Sequence, residues 1–108
     1  MSSEHIAALT DLLLRIRERI TDESNVLWIP YDSPAELRKE LEEEIALLRQ
    51  HDLAPLNRLK FHFMAASTFQ ELAVTNGWGD ELLLLAAEFD RLYAALQPGR
   101  APQFPGTK

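Results

Sequence analysis

Ile6, Leu9, Leu13, Ile16 and Ile20 recur at spacings of three and four. An α-helix, with ~3.6 residues per turn, sets such residues on one face. The same spacing returns in Leu37, Leu41, Ile45 and Leu48, and again in Leu82, Leu85, Phe89, Leu92 and Leu96. One stretch reads differently: Val26 to Tyr31, VLWIPY, is β-branched and aromatic, but no second run offers it a ladder partner. An all-α fold is therefore expected, a small antiparallel bundle of four to five helices. The stretch around Trp28 should lie across it as an extended segment, with the Trp28 ring in the core.

Local signals place the helix ends. The first helix is expected from Glu4 to about Asp22, before the polar run Thr21 to Asn25. In Ser33-Pro34-Ala35-Glu36, Ser33 can accept from the Glu36 N–H, Glu36 can reach back, and Pro34 suits the first helical position, so a helix starts there and runs to His51-Asp52. Leu56, Leu59, Phe63 and Ala66 predict a further helix. Thr68 and Glu71 offer a second capping box inside it, which predicts a break near Ser67. The last helix is expected from Glu81 to about Leu96, ahead of Pro98-Gly99. Residues 1–97 would then form a single helical domain, and residues 98–108, with Pro102, Pro105 and Gly106, a flexible tail.

Composition narrows the functions. A chain of 108 residues supports one hydrophobic core. With no Cys there is neither a disulfide nor a thiol nucleophile or thiolate ligand, so packing must supply the stability. The net charge of −6 opposes binding to nucleic acid, whose affinity rests on Lys and Arg displacing counterions. A partner with a basic surface would be attracted instead. No apolar run approaches the ~20 residues that span a bilayer, and the first residues lack the pattern of a signal peptide. A cytoplasmic protein is the expectation.

The segment Thr75-Asn76-Gly77-Trp78-Gly79-Asp80-Glu81 joins two helices. Asn76 and Gly77 suit the left-handed conformation that closes a helix, and Asp80 is a strong N-cap for the next. Trp78 would fill the wedge between the two helices, with Gly79 relieving crowding against its ring; the alternative is a protruding Trp78 that anchors an interface. The run Leu72 to Asp90, with Asn-Gly-Trp-Gly-Asp-Glu and then Ala-Glu-Phe-Asp, resembles a motif of small uncharacterised bacterial helical proteins. The resemblance covers about the last third of the chain and implies no activity.

Candidate chemistry is sparse. There is no Gly-x-Ser-x-Gly, no phosphate-binding Gly-Lys-Ser, and no His-Glu-x-x-His. His51 with Asp52 could give two metal ligands, but metal-ligand spacing is missing, and the favoured reading is that His51 faces the negative end of the helix dipole. His62, between Phe61 and Phe63, is expected to face solvent or to be hydrogen-bonded. No metal or other cofactor is assigned. Glu36, Glu40 and Glu44 stand at four-residue intervals with Glu43 beside them, which reads as a solvated face or as a surface for a basic partner or a divalent cation. On the last helix Leu83 and Leu84 lie outside the apolar face. Either the helix is central and covered on both sides by its own chain, or its second face meets another chain.

The expected function is a non-enzymatic acidic interaction module, homodimeric, offered to itself or to a basic protein partner in the manner of an immunity or antitoxin-like inhibitor. Trp78, Leu83, Leu84, Glu36, Glu40, Glu43 and Glu44 are its candidate interaction residues. The alternative is a metal-binding or small-molecule-binding protein, or an enzyme, using His51, His62 and the acids.

Overall fold

The computed structural model describes residues 2–64 and 67–96. It is all-helical, with α1 Ser2–Arg19, α2 Pro34–Arg49, α3 Leu56–His62, α4 Thr68–Asn76 and α5 Gly79–Ala95, and no strand among the described residues. α1 packs against both α2 and α5, α5 against α4, and α4 against α3. None of these helices is long and apolar enough to cross a membrane.

The predicted stripes are the core. Leu9, Leu13 and Ile16 of α1 meet Leu37, Leu41 and Leu48 of α2 and Phe89 and Leu92 of α5 in one cluster of fully buried side chains. Phe63 stacks on Phe89, with centroids 4.3 Å apart, and sets its edge to Phe69 at 4.9 Å, joining the α3–α4 corner to α5. The residues 98–108 expected to form a tail lie outside the described residues, as does Ala66 of the predicted α3 stripe.

Several ends differ from expectation, each for a local reason. α1 stops at Arg19, where the Ser24 hydroxyl accepts the Thr21 N–H and Arg38 donates to the Ile20 carbonyl and to Asp22. The predicted break near Ser67 is present, because α3 ends at His62 and α4 starts at Thr68. The Thr68–Glu71 capping box does not form. Ser67 is the N-cap, through its backbone alone, and the Thr68 hydroxyl turns to His62.

The Trp28 expectation is overturned. Residues 27–30 form turns rather than an extended segment, with Ile29 N–H donating to the Val26 carbonyl at 3.2 Å. Ile29 takes the core position while Trp28 is 66% exposed. Val26 and Tyr31 pack partly against the core on either side of it. Asn76 accepts the Asn25 N–H at 2.7 Å and donates to the Asn25 carbonyl, and Asn25 Oδ1 in turn accepts the Leu27 N–H. The Asn76 and Asn25 side chains thus pin the backbone that enters this turn.

Asn76, the last residue of α4, also donates to the Leu72 carbonyl at 2.8 Å, just ahead of the Gly-Trp-Gly turn. Gly77 has φ 87° and closes α4 with the Trp78 N–H on the Ala73 carbonyl at 2.9 Å, the expected left-handed stop. Trp78 is 6% exposed and belongs to the core, so the wedge reading holds and the protruding anchor does not. One detail is corrected. α5 begins at Gly79 with Trp78 as its N-cap, which places Asp80 and Glu81 inside the first turn, where they favour the dipole without capping it. A Cβ on Gly79 would meet Val74 Cγ2 at 3.5 Å, ordinary contact with the preceding helix.

Candidate functional site

Two places merit attention, and the predicted residues divide between them. The first is inside. Glu36 stays at the start of α2, its N–H donating to Ser33 Oγ at 3.3 Å and its carboxylate accepting the Asp32 N–H at 2.9 Å. Glu43 is exposed. Glu40 and Glu44, by contrast, leave the solvated face: Glu40 is half-buried and Glu44 is 4% exposed. The expected continuous acidic surface does not form.

What draws Glu40 inward is a set of donors from other elements. Glu40 Oε2 accepts from the Tyr31 hydroxyl at 2.9 Å and contacts His62 Nε2 at 3.0 Å. His62, the last residue of α3, is buried, and its Nδ1 lies 2.9 Å from Thr68 Oγ1 at the first residue of α4. The short α3–α4 connection therefore clamps the imidazole from behind and Phe69 packs on its ring, with centroids 5.1 Å apart. Of the two expected states of His62, it takes the hydrogen-bonded one.

Glu44 has no such partners. Both its carboxylate oxygens are buried without a hydrogen bond, and the nearest cation, Arg58, stands off at 4.0 Å. Burial, and after it the Glu40 charge, pushes its carboxyl up to about 7, with Arg58 opposing. Burial likewise lowers His62, against the pull of Glu40. For Tyr31, burial and then the hydrogen bond to Glu40 push the phenol upward. Potential ligand atoms of Glu40, Glu44 and His62 lie within 4.8 Å of one another. A surface depression of about 350 Å³, lined by Glu44, Leu47, Ala54, Pro55 and Arg58, adjoins them.

His51 lies apart from this cluster. It is exposed with φ 62°, and its N–H and that of Asp52 close α2 on the carbonyls of Leu48 and Leu47. Asp52 meanwhile accepts the Ala54 N–H. His51 and Asp52 thus form the stop of α2, at the helix end where the dipole reading of His51 puts them.

The second place is outside. On α5, Leu82, Leu85, Phe89 and Leu92 are buried, but Leu83 is 62% and Leu84 75% exposed. Among the described residues, nothing covers this second face of α5. Beside Leu84, a depression of about 400 Å³ runs between α1 and α5, bordered by Ala8, Asp11, Leu12, Arg15 and Glu88.

The chain matches no known protein family, no curated protein and no solved structure. Its site must be read from its own atoms.

Sequence reasoning missed two things. Glu44 follows Leu37 and Leu41 and precedes Leu48 at spacings of four, three and four, which is the buried phase of α2 and the signal that could have singled it out. No local pattern marks the contact of Glu40 with His62, 22 residues away.

Proposed function

We infer that the protein is a helical interaction module that works as a homodimer, paired through the outer face of α5 and the adjoining flank of α1. The observation that carries this is the exposure of Leu83 and Leu84, at 62% and 75%, on a helix whose opposite face already fills the core. Fully burying a leucine contributes roughly 1.5 to 3 kcal/mol, a large term for a small domain.

A second copy suits this face better than a basic partner does. Around Leu84 the charges alternate: Asp11 and Glu88 are matched by Arg15 and Arg91, a balanced set in a chain of net charge −6. A two-fold axis sets like surface on like, and a balanced patch pairs with itself without repulsion. The face also presents both a projecting Leu84 and a hollow beside it. On α2, by contrast, Glu40 and Glu44 point inward and Glu42 pairs with Arg17, leaving Glu36 and Glu43 of the candidate acids for a basic visitor.

Sedimentation equilibrium tests the pairing. Wild-type protein should give twice the 12.3 kDa chain mass. The double substitution Leu83→Glu with Leu84→Glu should give the single-chain mass, with helical content unchanged because both side chains stand in solvent within one copy. A wild-type monomer at high protein concentration, or a double variant that still pairs, removes the basis for this function.

A further inference from the structure

The geometry points to Glu40, Glu44 and His62 as a binding site for one divalent first-row transition cation, a site independent of the α5 face. Two carboxylates spaced four residues apart on α2 and an imidazole from the end of α3 bring potential ligand atoms within 4.8 Å of one another. Acidic clusters are common without an ion. This one differs in its innermost member: Glu44 is 4% exposed, and neither of its oxygens has a hydrogen-bond partner. Buried polar groups in folded proteins are satisfied with few exceptions, and a carboxylate is the costliest exception to leave. A cation shared with Glu40 supplies the missing partner.

The donor set selects the class of ion. There is no Cys, so soft thiolate chemistry is absent. An imidazole in a three-ligand set favours zinc and its neighbours over magnesium or calcium, which prefer all-oxygen shells. Three protein ligands of the His and Glu type, with water completing the shell, are a known zinc arrangement. Tetrahedral donors ~2.0 Å from the ion stand ~3.3 Å from each other. Glu40 Oε2 and His62 Nε2 are already 3.0 Å apart, so the adjustment falls on Glu44. The depression lined by Leu47, Ala54, Pro55 and Arg58 adjoins Glu44 from the solvent side and offers a route for the ion and its water.

The residues behind the ligands fit the same purpose. Metal-bound histidines characteristically hold their other ring nitrogen in a hydrogen bond that fixes the tautomer. Thr68 Oγ1, 2.9 Å from His62 Nδ1, does this. Its hydroxyl can donate or accept. The ring can therefore present Nε2–H to Glu40 without the ion and a lone pair to the ion when bound. Tyr31 donates to Glu40 Oε2 and orients that carboxylate. Arg58, mostly exposed at 4.0 Å from Glu44, is free to swing away as the ion enters.

Chelator-treated full-length protein titrated with zinc chloride by calorimetry should take up one equivalent. Cobalt in its place should give the visible absorption of a low-coordinate site. Glu44→Gln, isosteric and still folded by circular dichroism, should weaken zinc at least tenfold. Should that variant fail to fold, the imidazole nitrogen resonances of wild-type His62 must still shift when zinc is added. Absence of uptake by wild-type protein overturns the assignment. So does uptake that Glu44→Gln leaves unchanged, which would put the ion on the surface histidines His5 and His51.

Discussion

Glu44 makes a stability prediction that can be worked from its surroundings. In the metal-free protein its carboxyl is raised from about 4.5 to about 7, first by burial and then by Glu40, with a smaller push from Glu43 and an opposing pull from Arg58. Between those values the folded protein holds a proton that the unfolded chain has released. Folding stability from this group is thus fully present below about 4.5 and is lost as pH rises through about 7. At ~1.36 kcal/mol per unit of pKa, the whole window is worth at most about 3 kcal/mol, most of it between pH ~5 and ~8.

Glu44→Gln removes this titration while keeping the shape. Urea unfolding with a chelator present, followed by circular dichroism at pH ~5 and ~8, isolates it as the change with pH in the stability difference between variant and wild type. His62, whose depressed value gives the opposite slope at the acid end, is present in both proteins and largely cancels. The variant should gain on wild type by about 2–3 kcal/mol between the two pH values, equivalent to roughly 1–3 M in urea midpoint for a domain of this size. A difference that changes by less than ~0.5 kcal/mol, the usual scatter of such comparisons, would mean that Glu44 ionises normally in the fold, and the account of an unpartnered buried carboxylate would fail.

Other substitutions follow from single contacts. Gly77→Ala, at φ 87°, should cost about 1–2 kcal/mol in urea unfolding, since left-handed backbone disfavours a Cβ even though nothing lies within 4 Å of it. Gly79→Ala should cost no more than a few tenths of a kcal/mol, because outside its chain neighbours its Cβ meets Val74 in ordinary contact and alanine has the better helix propensity. Thr68→Val keeps the shape of a buried side chain but leaves His62 Nδ1 without its partner, and should lower stability by ~1–3 kcal/mol. Asn76→Ala removes three hydrogen bonds, two to the Asn25 backbone and one to the Leu72 carbonyl, and should release the 25–31 turn, seen as faster amide exchange at Asn25 and Leu27.

Most of the fold was legible because its information is local. The stripes through Leu9, Leu37 and Leu92 need only the helical period, and the Ser33 cap and the Gly77 stop act within a few residues. Trp28 was misplaced because the backbone entering its turn is pinned by Asn76, 51 residues from its contact Asn25, and no pattern near Trp28 carries that contact. Thr68 was misassigned for the same reason. A threonine three residues before a glutamate offers a cap, but here a buried imidazole six residues upstream competes for the hydroxyl.

The acidic residues of α2 show how a local pattern can mislead even when the element is right. Residues four apart on a helix advance ~400°, so each step of such a row turns ~40° further around the axis. Glu36, Glu40 and Glu44 therefore do not form a line parallel to the axis. They curl from the exposed start of the helix, past its flank, into the stripe of Leu37, Leu41 and Leu48. The burial sequence along the row, exposed, half-buried and buried, follows that rotation. Glu43, off the row, stays in water. A charged row that winds into a core must meet something there. In this chain it meets Tyr31 and His62 at Glu40, and at Glu44 it meets no donor at all.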